Sequence, residues 1–274
     1  MNASVEFDRL PALIVSAPFG NYLRFAGAVS TLGTFTLHRR GGWPARLWRI
    51  ALTVRYYPRL GAWVNRIGLR NPGIGFIEQA VSAGKKDVSD ALVSVHGFND
   101  GEWPDLVRRA AALGPLAVEL NLSCPNVGQV DPGLPWLEDA VACGAPVIAK
   151  LPPVRYQGLA ERCLTAGVRA FHCCNTLPSP GGGMSGRPLL PLSIECVKWM
   201  RTQNVSDGAR LFLIGGGGVV EPDDVDRYAD AGADRVAVGA KLMHPKYLWS
   251  DRGIDAIRQR AAQRFGVSGD THET

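Results

Sequence analysis

Cys124 stands between two carboxamides in Asn121-Leu-Ser-Cys124-Pro-Asn126, directly after the apolar run Ala117-Val-Glu-Leu. A thiol ionises near pH ~8.5, so a cysteine on a short loop past a strand can act as a base against a planar substrate that the flanking amides hold by hydrogen bonds. Lys150, in Ala149-Lys150-Leu-Pro-Pro153, ends another apolar run that two prolines stop. An ammonium there can neutralise negative charge developing on a reduced ring. Two glycine-rich segments, Gly215-Gly-Gly-Gly218 and Val238-Gly239-Ala240, each fall between a strand pattern and a helix pattern. Small residues in such loops let backbone N–H groups approach a phosphate.

These residues need a frame that brings distant segments to one surface. Short β-rich apolar runs at 12–17, 34–37, 91–95, 117–122, 147–150, 170–174, 211–215 and 235–239 alternate with helical patterns. Repeated strand–helix units of this number predict an α/β fold, a (β/α)8 TIM barrel, as one domain over 1–274 with its ligand site at the strand C-terminal ends. Pro104 and Asp105 open a helix that shares Leu106, Val107, Ala110 and Leu113 on one face and closes at Gly114; another opens at Pro222-Asp223-Asp224 and closes at Gly232. The first crossover, 21–29, is short for a βαβ unit, whereas the connection 38–90 is long and carries a helix at 75–83. Asn175-Thr176 closes the sixth strand and leads into Gly181-Gly-Gly-Met-Ser-Gly186, a loop flexible enough to lie beside a cofactor.

Composition narrows the class. With 274 residues and 46% hydrophobic composition, the chain can bury one large core. The formal charge of +5 is spread over pairs such as Arg39-Arg40, Lys85-Lys86 and Arg108-Arg109, with no basic run that marks a nucleic-acid partner. No segment reaches the ~18 apolar residues that span a bilayer, and residues 1–9 lack a secretory signal pattern, so no membrane partner and a cytoplasmic location are expected. Six cysteines without a CxxC pair predict neither a disulfide scaffold nor a metal site. Cys143, Cys163, Cys173, Cys174 and Cys196 read as small buried hydrophobes; Cys124 is the exception.

In order along the chain, Glu119-Leu-Asn-Leu-Ser-Cys124-Pro-Asn126, Lys150-Leu-Pro-Pro153, Asn175-Thr176, Gly182-Gly-Met-Ser-Gly186-Arg-Pro-Leu189, Ile214-Gly-Gly-Gly-Gly218 and Val238-Gly-Ala240 resemble the motifs of the dihydroorotate dehydrogenases. Asn65-Arg-Ile-Gly68-Leu69-Arg-Asn71 resembles that family's substrate-contacting segment, and the likeness runs from about residue 36 to about residue 242. The resemblance implies FMN across the barrel mouth. Its phosphate would rest on Gly217, Gly218, Gly239 and Ala240; Asn121 and Lys150 would touch the ring, with Gly186 and the backbone at Ala17 close by. Substrate contacts would come from Asn65, Gly68, Leu69, Asn126, Asn175 and Thr176, whose amides suit the alternating N–H and C=O groups of a pyrimidine ring. Cys124 would take the C5 proton while hydride passes from C6 to flavin N5, and cysteine in this role resembles the soluble branch of the family. The implied partners are a small-molecule substrate and either a second copy in a homodimer or a separate electron-transfer subunit.

Three positions depart from the family pattern. Val15-Ser16-Ala17-Pro18 replaces an Asn-Ala-Ser-Gly stretch, and the family's strand-two lysine aligns with Gly33 or a neighbour, with no lysine before Lys85. His96 stands where a small polar residue is usual, either entering the flavin site or hydrogen-bonded at a strand end. The departures leave three readings: dihydroorotate oxidation, a diverged FMN-dependent dehydrogenase or ene-reductase acting on another cyclic amide or specialised metabolite, and a non-catalytic flavin-binding subunit.

Overall fold

The computed structural model describes residues 7–41, 48, 50, 52–122, 134–205 and 208–266. In chain order its strands are β1 (Leu13–Val15), β2 (Ala28–Phe35), β3 (Arg55–Tyr57), β4 (Ala62–Asn65), β5 (Ala91–Val95), β6 (Ala117–Asn121), β7 (Val147–Leu151), β8 (Ala170–Cys173), β9 (Leu177–Ser179), β10 (Gly182–Gly186), β11 (Phe212–Gly216) and β12 (Arg235–Val238). Eight of them close a barrel in the order β1-β12-β11-β8-β7-β6-β5-β2. Neighbouring strands in it run parallel, as in the register Asn121↔Lys150 between β6 and β7 and Lys150↔His172 between β7 and β8. The helices are α1 (Ile74–Ser82), α2 (Glu102–Ala112), α3 (Leu137–Val141), α4 (Gln157–Thr165), α5 (Leu189–Arg201), α6 (Pro222–Asp230) and α7 (Asp255–Phe265). The (β/α)8 architecture expected from the strand–helix alternation is present.

A parallel strand under helices is covered on both faces, and every residue of β5, β6 and β7 is buried. Alternation along each strand then sorts the side chains. Val118, Leu120, Ala149 and Leu151 pack outward with Trp103, Leu106 and Val107 of α2. Ile14, Leu92, Ala117, Ile148, Ala170, Phe212 and Ile214 point inward, where Phe7 and Leu10 join them. Each fully buried Leu or Ile stabilises the barrel by about 1.5–3 kcal/mol. At the N-terminal end, Phe7 stacks on Phe212 at 5.2 Å and Arg235 Nε donates to the Leu10 carbonyl at 2.7 Å, so this end is plugged by side chains. The opposite end is left for chemistry.

Helix caps hold the outer layer. On α6, Glu221 and Asp224 form a reciprocal capping box with Pro222 in the first turn, and Gly232 follows with φ 96°. On α2, Trp103, Leu106, Val107 and Ala110 are buried, and Trp103 stacks on Trp136 at 4.2 Å. Among the described residues, no helix is long and apolar enough to cross a membrane.

Two expectations need correction. β2 starts at Ala28 and ends at Phe35, six residues earlier at its start than 34–37. Its Ser30, Thr31 and Gly33 break the apolar signature, yet closure of the barrel buries them all the same. The first crossover is short, as expected, and holds a 3-10 turn at Phe19–Asn21. The glycine-rich segment expected as a flexible loop is instead β10, paired antiparallel with β4 and β9 in a second sheet of order β3-β4-β10-β9. Gly183 faces Asn65, and a Cβ on Gly182 would come within 2.8 Å of the Asn65 carbonyl carbon, so only glycine permits this approach.

Candidate active site

Positions of one parity along β6 point into the barrel, which sends Ala117, Glu119 and Asn121 inward together. Asn121, at the open end, is held from three sides. Its Nδ2 donates to Thr34 Oγ1 of β2 at 3.1 Å, its Oδ1 accepts from Asn175 Nδ2 at 2.7 Å, and its carbonyl accepts from His96 Nδ1 at 2.7 Å. Thr34 in turn shares a hydrogen bond with Ser94 Oγ of β5 at 3.0 Å. Asn175 Oδ1 accepts from the Thr176 N–H at 2.9 Å. Two of the expected substrate or cofactor amides are thereby locked in fixed orientation on the rim, a pre-organised donor–acceptor surface.

His96 is the hydrogen-bonded strand-end histidine. A carbonyl can only accept, so Nδ1 carries the proton, and the ring stands edge-on to Phe98 and Trp103. Burial lowers its pKa below the ordinary histidine value, against the opposing effect of the bond to Asn121. It supports Asn121 as a neutral ring.

Beneath the rim lies a charged cluster in which the motifs single out Lys150 but not Glu119 or His172. Glu119 is fully buried, His172 is 1% exposed and Lys150 is 6% exposed. His172 Nδ1 donates to Glu119 Oε2 at 2.7 Å, and Lys150 Nζ lies 3.5 Å from Glu119 Oε1. Burial by itself raises the Glu119 carboxyl, but the Lys150 ammonium and His172 outweigh it and hold its pKa at about 2. Burial and then the Lys150 charge push His172 down, more than its bond to Glu119 raises it. The cluster is therefore a carboxylate flanked by an ammonium and a neutral imidazole. A signal was available in the sequence: Glu119 has the same parity as Asn121, inside a strand covered on both faces, where an unpaired charge is rarely tolerated.

The two glycine segments meet at the same end. The carbonyls of Gly216 and Gly217 accept from Ser193 Oγ and Tyr228 Oη, each at 2.6 Å, which fixes the peptide planes of this loop. Gly217 and Gly218 have φ 107° and 77°. A Cβ would come within 2.8 Å of Ser193 Oγ at the first and 2.9 Å of the Leu190 nitrogen at the second. Among the described residues, the N–H groups of Gly217, Gly218 and Ala240 have no internal hydrogen-bond acceptor. Lys241 bonds the Val220 carbonyl and so ties the two loops together. Free N–H groups on a rigid turn fit a phosphate.

Other expected residues lie around this centre. Gly186 approaches Gly218, whose Cβ would stand 3.0 Å from the Gly186 carbonyl oxygen; Gly239 lies against Ser16, next to Ala17. Asn65 is half-buried on β4, with Nδ2 3.4 Å from the Gly183 carbonyl, and Gly68 and Leu69 form a left-handed turn at φ 76° and 49°. Asn71 secures that turn, accepting from Thr36 N at 3.1 Å and Gly73 N at 2.9 Å. Cys124 and Asn126 lie outside the described residues. At Gly33, φ is 111° and a Cβ would collide with the Ser94 carbonyl oxygen. Asn21 also clamps that residue, accepting from its N–H at 3.0 Å and donating to its carbonyl at 2.7 Å. Neither contact leaves room for a side chain.

No family model matches the chain. It is 30% identical over 270 residues to the catalytic subunit of dihydroorotate dehydrogenase B (NAD(+)) of Endomicrobium trichonymphae, covering 85% of this chain and 82% of that protein. The corresponding catalytic subunit of Geobacter sp. (strain M21) is 30% identical over 275 residues, covering 86% and 85%. A putative dihydroorotate dehydrogenase A (fumarate) of Aeropyrum pernix is 32% identical over 212 residues, 68% of each. In fold, the chain is similar to the DHODH of Eimeria tenella crystallised with ferulenol, with a TM-score of 0.70 at 17% identity over 92% of this chain and 80% of that one. Sequence identity at this level across most of both partners, on the same barrel, shows that this chain belongs to the dihydroorotate dehydrogenase family.

Proposed function

We propose that the chain oxidises dihydroorotate to orotate with FMN as the electron acceptor. The observation that carries this reading is the Asn121–Asn175 amide pair, fixed at 2.7 Å on the barrel rim beside Lys150. Family membership and the uncommitted N–H groups of Gly217, Gly218 and Ala240 support it. FMN, when bound, would supply the two-electron acceptor for the C6 hydrogen. Cys124, as thiolate, removes the C5 proton and keeps it as S–H while the C5–C6 double bond forms. Asn65, Asn126, Asn175 and Thr176 grip the pyrimidine, with Gly68 and Leu69 shaping its edge. Asn121 and Lys150 would contact the flavin ring; Gly217, Gly218, Gly239 and Ala240 would hold its phosphate, and Gly186 and Ala17 would pass close to the cofactor.

Electrons leave through a separate electron-transfer subunit in this reading. Two of the relatives described above are named as catalytic subunits of an NAD(+)-dependent form, which supports a divided enzyme.

Anaerobic addition of dihydroorotate to the purified yellow protein tests the reaction: the flavin band bleaches, and orotate appears in equal amount. A band that stays oxidised with dihydroorotate but bleaches with dithionite rejects dihydroorotate as substrate. Gly33 favours a second reading for that case, because its packing excludes the lysine that the family resemblance places there. The chain is then an FMN-dependent dehydrogenase for another cyclic amide.

A further inference from the structure

We propose that Glu119 is a counter-charge to Lys150, oriented by His172 as a second positioning residue, and that the Glu119 charge lowers the reduction potential of the bound flavin. The inference rests on the flavin reading above. A carboxylate inside a barrel is expensive, and a well-packed apolar residue of similar volume is often as stable or more so. Its presence therefore asks for a role beyond stability. One oxygen, Oε2, is pinned by His172 at 2.7 Å; the other, Oε1, accepts no hydrogen bond and lies 3.5 Å from Lys150 Nζ. His172 has no freedom to turn away, because its Nε2 is packed against Gly216 so closely that a Cβ there would collide with it. The other titratable side chains inside the barrel among the described residues are His96, bonded to the Asn121 carbonyl, and Arg235, bonded to the Leu10 and Asp8 carbonyls at the far end. Glu119 is thus the negative charge that faces Lys150.

Lysine alone at this rim adds one positive charge in a low-dielectric setting and favours the electron-rich, reduced flavin. Glu119 cancels it, leaving the pair neutral and the reduced flavin easier to empty.

The test is the two-electron midpoint potential of the FMN-loaded protein, read by anaerobic titration against redox dyes so that no substrate is needed. Four proteins are compared: wild type, Glu119→Gln, Lys150→Met and the double variant. At a fixed potential, Glu119→Gln raises the ratio of reduced to oxidised flavin at least tenfold, about 30 mV for a two-electron couple. Lys150→Met lowers it by a similar factor, and the double variant, neutral again, returns to within about threefold of wild type. His172→Asn keeps a donor for Oε2 and the wild-type potential, whereas His172→Leu moves toward the Glu119→Gln value. Potentials that ignore these charges, or fall in Glu119→Gln, overturn the proposal even if dihydroorotate still bleaches the flavin. Potentials that follow the charges while dihydroorotate fails to bleach it uphold the counter-charge and reject only the substrate.

Discussion

The side chain of Asn175 donates to Oδ1 of Asn121 at 2.7 Å across a sequence separation of 54, tying the loop after β8 to the end of β6. Because Asn121 also donates to Thr34, one residue holds three strand ends in register around the site. Asn121→Leu strips partners from both Asn175 and Thr34. An expected loss of about 1–3 kcal/mol follows from leaving buried polar groups unpaired, measurable by urea unfolding. Asn175→Leu is also expected to weaken substrate binding, and the two losses are less than additive because they share a bond.

Cys124→Ala tests the base. Flavin reduction by dihydroorotate is expected to slow by about 10²–10⁴ while FMN content is unchanged, as read by anaerobic stopped flow. In the wild type the same rate rises with pH as the thiolate forms, passing half its maximum near pH ~8.5. An unchanged rate in the variant removes Cys124 from the mechanism.

Restoring a lysine at position 33 is expected to harm the protein rather than improve it. Gly33→Lys forces a side chain into backbone at φ 111° and against the Ser94 carbonyl oxygen. Strain of about 1–3 kcal/mol, together with displacement of β2 from β5, should appear as a lowered Tm and weakened flavin binding. A variant as stable as wild type would show that the strand end relaxes easily.

Gly218→Val addresses the phosphate loop. With φ at 77° and a Cβ 2.9 Å from the Leu190 nitrogen, the loop must move and its N–H groups lose their aim. FMN affinity is expected to fall at least about tenfold, about 1.4 kcal/mol, by flavin fluorescence titration. Unaltered affinity would place the phosphate elsewhere.

Stability should decline in acid in two stages. His96 and His172 have lowered folded pKa values, so below pH ~6.5 the unfolded chain binds protons that the folded chain resists. Glu119, held at about 2, adds stability that is present above its unfolded value and is lost as pH falls from ~4.3 toward that point. Urea midpoints between pH 8 and pH 3 in steps of about half a unit should show both limbs. Glu119→Gln shrinks the lower one, to which Glu78, lowered by its bond to Arg109, also contributes, and a curve unchanged by that substitution contradicts the ionised carboxylate.

Much of the frame is legible in the sequence, and for a physical reason. A parallel strand covered on both faces writes itself as consecutive apolar residues, as in Leu13–Val15, and caps such as Pro222 and Gly232 punctuate the helices between. Motifs placed just past those strands, including Asn121, Lys150, Asn175 and Gly217-Gly218, could be assigned to one end of the barrel because all its strands run the same way. Partnership across the barrel is another matter. Glu119 meets His172 over a separation of 53, and β4 pairs with β10 through Asn65 and Gly183, 118 positions apart. Such encounters depend on the register at which the barrel closes, a property of all eight strands at once, and no local pattern of residues carries it. Packing around the backbone is equally global: Gly33 reads as a missing lysine in one dimension and as a filled space, bounded by Asn21 and Ser94, in three.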